Sequence, residues 1–365
     1  MTSSHEGLAP QVRLRTLGEI ERAGLWSLDR VITEYLQGGS GSELTVRRNR
    51  SAFDRIRFVP RVMSGLPHPS TATSLLGVDL RIPVMTAPFG SDGYFHPEGH
   101  RAVARANERF GICGVVPEAG TFSAEQLATA APKGAAFGQL HPMGTEANFR
   151  SMVQRYVDAG YRGLVLTLDC PTPGWREHFL LNEFRVDKRV VSGNYPPDAE
   201  IDMEQALARL NPATQPAWTW DKLSELLADY PLPWLAKGIL TAEDAVAALD
   251  AGAAGVIVSN HGGRQLDGVR STIEALEPIA AAARGRGAIV LDSGIRRGSD
   301  VVKAVALGAD AVLIGRLSAY GIAAAGEDGA YQVLELLRRE IETVLILLGR
   351  GDITDLDRSS VEWES

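Results

Sequence analysis

The sequence predicts an α/β protein built on a (β/α)8 TIM barrel, with an N-terminal helical extension and a long loop after the fourth strand. From residue 83 onward, eight short apolar runs alternate with helix-like segments, a pattern typical of a parallel sheet. Eight units favour a closed barrel over an open doubly wound sheet. An open nucleotide-binding sheet would also need a Gly-x-Gly-x-x-Gly turn after its first strand, and none is present.

Residues 1–82 are expected to form helices and a cap packed on one end of the barrel. The helices are predicted over 16–24, 27–37 and 51–56, and an extended segment over 75–82. The second helix stops at Gly38-Gly39, so Tyr35 falls in its last turn.

The barrel itself is assigned to residues 83–350, and residues 351–365 are treated as a C-terminal tail. Its strands are short and rich in β-branched residues, as expected for strands buried on both faces. They are predicted over 84–88, 112–116, 135–140, 163–168, 234–237, 255–259, 288–291 and 311–314. Helices are predicted over 97–110, 123–130, 145–159, 242–251, 271–283 and 298–307.

The connection over residues 171–218 is far longer than the others. It is rich in proline and glycine, and a short helix is predicted over 202–210. Loops of this length inside a compact domain are usually functional or disordered. We therefore expect a mobile lid over the barrel mouth, and the alternative is a surface insertion without a function.

Composition narrows the class of protein. The net charge is -8 and no basic block occurs, which argues against a nucleic-acid partner. No leader-like or membrane-spanning apolar stretch is found, so we expect a soluble cytoplasmic protein without a membrane partner. The only cysteines, Cys113 and Cys170, fall in or at the end of predicted strands, which argues against a disulfide framework and for a reducing compartment.

Polar residues crowd the end of the sixth strand, where a barrel carries its active site. The run from Ser259 to Arg264 contains a histidine and two glycines. His261 can transfer a proton near neutral pH, and Arg264 can hold a carboxylate or phosphate through two parallel hydrogen bonds. The alternative is a hydrogen-bonded core histidine followed by a turn and a solvated arginine. The density of polar residues at one strand end favours the active site.

The seventh and eighth strands each end in a glycine followed by an arginine. These are Gly294 with Arg296, and Gly315 with Arg316. Loops at these two positions of a barrel commonly bind phosphate through main-chain N–H groups. Together they predict one phosphate site and hence a cofactor with a single phosphate.

These strand ends resemble those of the FMN-dependent 2-hydroxy acid oxidases and dehydrogenases, the relatives of glycolate oxidase, lactate oxidase and mandelate dehydrogenase. The resemblance extends from about residue 35 to 348. It rests on the segments Ser259 to Asp267, Asp292 to Gly298, Gly315-Arg316, Leu235 to Gly238 and His96 to Gly99, which follow the family's order. It implies FMN as cofactor, a 2-hydroxy acid as substrate, oxygen or another electron acceptor, and a homotetramer.

The resemblance also implies catalytic roles. His261 would be the base that removes a proton from the hydroxy acid as two electrons pass to flavin N5, with Asp169 as its carboxylate partner. Arg264 and Tyr35 would hold the substrate carboxylate, and Arg176 would be a further arginine of the site. No metal-ligand set is predicted.

Further residues would contact the cofactor. Lys237 would lie beside flavin N1 and O2, where negative charge accumulates on reduction. Gln139 and Thr167 would hydrogen-bond the edge of the flavin ring. The other implied cofactor contacts are Pro88, Gly90, Ser259, Asp292, Gly294, Arg296, Gly315 and Arg316.

Three positions depart from the family's usual pattern. His141 replaces a tyrosine after the third strand, Gly90 replaces an alanine after the first, and Pro117-Glu118 replaces a hydroxylated pair after the second. We expect His141 to face the substrate beside the two substrate-binding arginines, whose charges would favour a neutral ring, whereas Asp169 or a bound carboxylate would favour the protonated ring. We expect Gly90 to open space near flavin N5.

The predicted function is FMN-dependent oxidation of a 2-hydroxy acid to the 2-oxo acid, with electrons passing on to oxygen or another acceptor. An aryl or otherwise bulky substrate is favoured because the loop after the fourth strand is long and the third-strand tyrosine is missing. One alternative is a flavoenzyme of the same fold with a changed reaction, such as amine oxidation, oxidative decarboxylation or monooxygenation. Another is a flavin-binding protein without catalysis, which the retained catalytic residues disfavour.

Overall fold

The computed structural model describes residues 14–66, 68–142, 145–195 and 218–364. Its central feature is a barrel of eight strands. They are β1 (Val84–Thr86), β2 (Gly114–Val116), β3 (Ala136–Leu140), β4 (Gly163–Thr167), β5 (Trp234–Ile239), β6 (Gly255–Val258), β7 (Ala288–Leu291) and β8 (Ala311–Ile314). Nearly every strand residue is buried, which explains why the sequence shows these strands as apolar runs.

The barrel is closed and all its strands are parallel. The strand order is β7-β8-β1-β2-β3-β4-β5-β6, and β6 pairs with β7 to complete the ring. Each strand thus lies beside its neighbours in the sequence, and β8 pairs with β1. The predicted (β/α)8 barrel is confirmed.

Helices surround this ring. Those of the described barrel residues are α4 (Gly99–Phe110), α5 (Ala124–Ala130), α6 (Glu146–Asp158), α7 (Glu177–Leu181), α8 (Trp220–Leu227), α9 (Ala242–Asp250), α10 (Thr272–Ala283), α11 (Gly298–Ala306) and α12 (Arg316–Leu348). The six predicted barrel helices agree with the observed bounds within two residues. Polar residues that precede several of them, such as Thr145 and Thr241, accept hydrogen bonds from first-turn N–H groups.

Among the described residues before the barrel, three helices occur: α1 (Leu17–Ser27), α2 (Arg30–Gln37) and α3 (Leu44–Asp54). The prediction of a helix over 51–56 was wrong, because α3 begins seven residues earlier and residues 56–58 form a strand. Asp267 caps its start: one carboxylate oxygen accepts from the N–H of Thr45 at 2.8 Å and the other from that of Leu44 at 3.2 Å. A cap supplied from a distant loop leaves no local sequence signal.

The described segments that flank the barrel pack on one another and on α12. Val361–Trp363, in the segment treated as a tail, pairs antiparallel with Ile56–Phe58, and the segment predicted as extended forms a small hairpin of Thr73–Leu75 and Val78–Leu80. Helix α1 packs on α12 so closely that a Cβ at Gly24 would lie 2.5 Å from the Tyr320 carbonyl oxygen. No helix of the described residues is long and apolar enough to cross a membrane.

The long connection after β4 is described up to residue 195 and again from 218. It contains α7 and a 3-10 turn at Lys188–Val190. Main-chain contacts hold it to the barrel mouth: the Gly193 N–H donates to the Gly120 carbonyl at 2.9 Å, and the Gly174 N–H donates to Gln265 Oε1 at 3.1 Å. The helix predicted over 202–210 lies outside the described residues.

Candidate active site

A cavity of about 450 Å³ opens at the carboxyl end of the barrel strands. Most of the residues predicted for the site line it. They are Tyr35, Pro88, Gly90, His141, Arg176, Lys237, His261, Arg264, Asp292, Gly294, Arg296, Gly315 and Arg316. The other four, Asp169, Gln139, Thr167 and Ser259, lie at or just past the ends of the strands that form the wall. The structure therefore brings the predicted residues to one end of the barrel.

His261 lies on a left-handed stretch of backbone just after β6. Its φ is 58°, and Gly262 and Gly263 follow with φ of 67° and 77°. A side chain at Gly263 would meet Val46 at 2.7 Å, so this turn requires glycine. The N–H of His261 donates to Ser259 Oγ at 3.1 Å. A non-glycine residue held at positive φ is a feature that clusters at functional sites.

His261 and Asp169 form a partly buried pair across the tips of β6 and β4. His261 Nδ1 lies 3.1 Å from Asp169 Oδ1, and Asp169 Oδ2 has no hydrogen-bond partner among the described residues. Burial and the Lys237 ammonium lower the pKa of His261, but Asp169 and Cys170 raise it, and the net shift is upward. Burial raises the pKa of Asp169, yet the charges of His261 and Lys237 hold it well below its usual range. The carboxylate therefore stays ionised beside the imidazole.

Two arginines place positive charge at the cavity. Arg264 Nη1 donates to the carbonyl oxygens of Tyr35 at 2.6 Å and Gly38 at 3.0 Å, and Arg176 Nε donates to the Arg264 carbonyl at 3.2 Å. Burial, together with the nearby Arg176, lowers the pKa of Arg264 to about 9, and burial also lowers the pKa of Arg176. Two partly buried cations of this kind form a good site for a substrate carboxylate.

Aromatic rings form the wall beside these arginines. The Tyr35 ring stacks on Phe179 of α7 with centroids 5.3 Å apart, and it also contacts Phe95 and Phe184. The Arg264 guanidinium lies 5.1 Å from the centre of the Tyr35 ring. The loop after β4 thus contributes apolar area to the cavity wall, which suits a substrate with an apolar or aromatic group.

Lys237 is a buried cation in β5. Its Nζ lies 3.5 Å from Asp292 Oδ2. Burial lowers the pKa of this ammonium, but the charges of Asp292 and Asp169 raise it, and the net shift is upward. The strand bulges here, and Gly238 adopts a φ of 104° where a Cβ would lie 2.7 Å from the Asp169 Cβ. Glycine therefore permits β5 to approach the β4 tip. Lys237 thus stays a charged ammonium inside the wall.

The tips of β7 and β8 provide the features of an anion site. Helix α12 begins at Arg316 without a side-chain cap, and such helix N-termini favour negative charge. Arg296 lines the same cavity, with its guanidinium 5.5 Å from the Tyr320 ring centre. Gly294 has a φ of 99°, and a Cβ there would lie 2.2 Å from the Asn49 carbonyl oxygen. This donor set fits a phosphate group at one end of the cavity.

Arg316 was predicted to contact a phosphate, and in the structure its guanidinium donates to main-chain carbonyls. Its Nε donates to the Leu36 carbonyl at 2.9 Å, Nη1 to the Gly262 carbonyl at 2.9 Å, and Nη2 to the carbonyls of Gln37 and Gly38. Burial and Arg296 lower its pKa to about 10. The side chain thus joins the end of α2 to the β6 and β8 tips, and Arg296 is the better placed of the two for a phosphate.

His141 is partnered by a carboxylate that the sequence analysis did not assign to the site. His141 Nδ1 lies 2.8 Å from Glu118 Oε2, and the His141 main-chain N–H donates to the same oxygen at 2.9 Å. Burial lowers its pKa, but hydrogen bonds to Cys170 and Glu118 raise it to about 10. The charge state of His141 was left open by the sequence, and the contact with the Glu118 carboxylate favours the protonated ring. Glu118 was visible as a departure at the β2 tip, but its contact with His141 depends on the pairing of β2 with β3.

Gln139 belongs to this same group of residues. Its Oε1 accepts from the Glu118 main-chain N–H at 3.0 Å, and its Nε2 lies 3.2 Å from His141 Nδ1. The side chain is buried. Thr167, the last residue of β4, is buried as well. In this structure Gln139 therefore connects the tips of β2 and β3.

Gly90 does not open space, contrary to expectation. A Cβ built on it would lie 2.6 Å from the carbonyl oxygen of Ala119. The Ser91 N–H donates to that same carbonyl at 3.2 Å, which holds the loops after β1 and β2 together. The missing side chain makes room for the neighbouring main chain rather than for a ligand.

Cys170 is a cavity residue that was not predicted for the site from the sequence. Its Sγ lies 3.4 Å from His261 Nδ1, and its thiol also hydrogen-bonds His141. Burial raises the thiol pKa, but His261 and His141 lower it to about 6. The sequence argued against a disulfide framework, and both cysteines are free in the structure. The available signal was the position of Cys170 directly after Asp169, past the end of a barrel strand.

A barrel whose mouth holds a histidine–aspartate pair, a buried lysine and an uncapped helix N-terminus can serve an oxidoreductase that binds a phosphorylated cofactor. The model of the family described as FMN-dependent dehydrogenase matches residues 26–363. The chain belongs to this family and is an FMN-dependent oxidoreductase, which confirms the resemblance seen in the sequence.

Individual relatives are similar over nearly their whole length. L-lactate oxidase of Nostoc sp. is 36% identical over 352 residues, covering 94% of this chain and 96% of that protein. 4-Hydroxymandelate oxidase of Amycolatopsis orientalis is 38% identical over 339 residues, covering 92% and 94%. A crystal structure of mandelate oxidase superposes with a TM-score of 0.87 at 37% identity, covering 95% of this chain and 97% of that one. Another, with benzoyl-formic acid, gives 0.86 at 36%, covering 95% and 97%.

Proposed function

We propose that this protein oxidises an aryl 2-hydroxy acid to the 2-oxo acid, with His261 as the base. The observation that carries the proposal is the partly buried pair of His261 and Asp169, 3.1 Å apart, in the wall of a cavity that also contains Arg264 and Arg176. A base, its carboxylate partner and a carboxylate-binding pair of cations are the groups that this oxidation requires.

Arg264 and Arg176 bind the substrate carboxylate. Main-chain carbonyls fix both side chains, so they hold an anion with little loss of side-chain freedom. The stacked rings of Tyr35 and Phe179 contact the apolar group on C2. These contacts orient the hydroxyl-bearing carbon toward His261.

His261 accepts the proton that the substrate loses. Asp169 stabilises the imidazolium that forms, because its carboxylate stays ionised beside Nδ1. The ring can accept a proton only when it is neutral. The upward shift of its pKa therefore makes it a stronger base and also requires that it lose a proton before each turnover.

Arg296, the N–H groups at the start of α12 and the main chain around Gly294 would hold the FMN phosphate, and Lys237 would lie beside the ring system. When bound, FMN takes up the two electrons that the substrate gives up. The buried ammonium of Lys237 offers a positive charge to a group that gains negative charge. Its ion pair with Asp292 fixes the ammonium at the end of β5.

The preference for an aryl acid is supported by the aromatic wall and by the relatives. Two of them are a 4-hydroxymandelate oxidase and a mandelate oxidase, whereas another is an L-lactate oxidase with a small substrate. Benzoyl-formic acid, present in one mandelate oxidase structure, is the 2-oxo acid that corresponds to mandelic acid. Oxygen is proposed as the electron acceptor because these relatives are oxidases, and a homotetramer is proposed as the assembly.

The test is anaerobic stopped-flow bleaching of the flavin with mandelate, 4-hydroxymandelate, lactate, glycolate and phenylglycine. We expect the two aryl hydroxy acids to reduce the flavin fastest. His261→Gln should retain FMN and slow reduction by roughly 10²- to 10⁴-fold, the range for loss of a positioned base. Reduction by phenylglycine alone would replace the proposal with amine oxidation. Reoxidation by oxygen in a second mix, and light scattering of the holoenzyme, test the acceptor and the tetramer.

A further inference from the structure

Two of the positions that depart from the family pattern, Glu118 and His141, are in direct contact. We propose that Glu118 is a positioning residue for the oxidation: it holds His141 as a charged hydrogen-bond donor that binds the oxygen on C2 of the substrate. This inference rests on the proposed function, since it names the group that contacts the reacting oxygen of that substrate. Glu118 itself acts only through His141.

Glu118 is held in place by hydrogen bonds to four residues. Its Oε2 accepts from both the ring and the main chain of His141, at 2.8 and 2.9 Å, and its Oε1 accepts from the Tyr195 hydroxyl. Its main-chain N–H donates to Gln139 Oε1 at 3.0 Å, and its carbonyl accepts from Asn194 Nδ2 at 2.9 Å. The carboxylate side chain is only 12% exposed. It therefore has a single defined orientation toward the His141 ring.

This contact fixes the chemistry of the ring. With Nδ1–H donated to Glu118, a neutral ring would present Nε2 as an acceptor, whereas a protonated ring presents Nε2–H as a donor. Cys170 at the β4 tip is the other titratable group that hydrogen-bonds the ring, His261 in turn contacts Cys170, and Gln139 Nε2 lies 3.4 Å from Nε2 of His141. The substrate oxygen therefore takes over the Nε2–H hydrogen bond from Cys170. Burial lowers the pKa of His141, but Cys170 and Glu118 raise it to about 10. The donor form is therefore the one present at neutral pH.

A donor at this place has a use in the reaction. His141 lines the cavity together with His261 and Arg264. As the hydroxyl proton leaves, negative charge develops on the C2 oxygen, and a fixed imidazolium stabilises it more than it stabilises the neutral hydroxyl. A buried ion pair on its own is a weak source of stability, so a structural role explains the pair less well.

The test compares Glu118→Gln with Tyr195→Phe. The first keeps the shape and the acceptor oxygen but removes the charge, and the second removes a hydrogen bond to Glu118 but keeps the charge. In the holoenzyme, nitrogen-15 NMR follows the ring of His141, and flavin absorbance follows binding of benzoylformate, a 2-oxo acid probe that needs no turnover. Both are recorded from pH 6 to pH 9.

In wild type and in Tyr195→Phe, His141 should stay protonated across this range. In Glu118→Gln it should lose its proton within the range, and benzoylformate binding should weaken relative to wild type by about tenfold or more, as for the loss of one hydrogen bond from a charged donor. In a His141→Gln background, Glu118→Gln should have no further effect on the pH dependence.

Equal pH dependence of probe binding in wild type and Glu118→Gln would overturn the inference. So would a wild-type His141 that loses its proton below pH 8, a measurement that needs no variant to fold. Failure of the proposed function is a separate outcome. It would appear as wild-type flavin that no hydroxy acid reduces, whereas the NMR and probe-binding results would still decide the role of Glu118.

Discussion

The Cys170 sulfur lies 3.4 Å from Nδ1 of His261, the same nitrogen that faces Asp169 at 3.1 Å. A thiol therefore shares the polar environment of the base. Burial alone would raise its pKa, yet His261 and the hydrogen bond from His141 bring it down to about 6. At neutral pH most of this thiol is ionised, and the thiolate is the reactive form of cysteine.

We predict that Cys170 is alkylated by iodoacetamide at pH 7 much faster than Cys113. Cys113 is fully buried, and burial raises the pKa of its thiol to about 12, so it serves as an internal control. Tryptic mass spectrometry after timed quenching gives both rates in one sample. The Cys170 rate should rise between pH 5 and pH 7 and then level off, and benzoylformate should slow it. Equal modification of the two thiols would contradict this assignment.

Asp169→Asn should move the acid limb of the kcat/KM profile to lower pH. His261 accepts a proton only when its ring is neutral, and the Asp169 carboxylate raises the pKa of this ring. Removal of the Asp169 charge therefore lets the ring lose its proton at lower pH, which moves the acid limb to lower pH. The plateau should fall by roughly 10²- to 10⁴-fold, because the imidazolium loses its partner. Steady-state rates from pH 5 to pH 9 measure both effects. Asp79→Asn, a change at an exposed hairpin residue, should leave the profile unchanged.

His141→Tyr should shift the substrate preference toward small acids such as lactate or glycolate. The phenol returns a neutral donor to this position and removes the charged ring. The measurement is the ratio of kcat/KM for lactate to that for mandelate in the two proteins. In the His141→Tyr variant, the Glu118 carboxylate loses the imidazole ring that it contacts. A Glu118→Gln/His141→Tyr double variant removes the charge of this carboxylate as well. A ratio unchanged within about twofold in both variants would show that His141 does not set specificity.

Gly90→Ala should destabilise the protein by about 1–3 kcal/mol, as for other substitutions that force a backbone shift. The added methyl group would lie 2.6 Å from the Ala119 carbonyl oxygen, so the loops after β1 and β2 must move apart. Urea unfolding of the apoprotein gives the change. Gly18→Ala in α1 is the matched control, because its Cβ would meet only Arg22 Nη1 at 3.8 Å, and alanine favours a helix by about 0.5–1 kcal/mol. An unchanged free energy of unfolding in Gly90→Ala would contradict the close approach of Gly90 to the Ala119 carbonyl.

The barrel and the ends of its strands could be predicted from the sequence alone. Burial on both faces makes each strand an apolar run, and the helix periodicity between runs is local, so both are readable without a structure. Parallel topology then places every strand end on one face of the barrel. His261, Asp169 and Lys237 could therefore be brought together from their positions at strand ends and from a family resemblance.

Which of these groups are in contact, and in what charge state, could be read only from the folded structure. The Glu118–His141 contact depends on the register of β2 and β3. The Cys170–His261 contact depends on the positions of β4 and β6 on either side of β5. The cap of α3 depends on a distant loop that carries Asp267. A pKa depends on burial and on the nearest charges, and neither is a property of the local sequence. For that physical reason the sequence left the charge state of His141 open, and the contact with Glu118 favours the protonated ring in the folded protein.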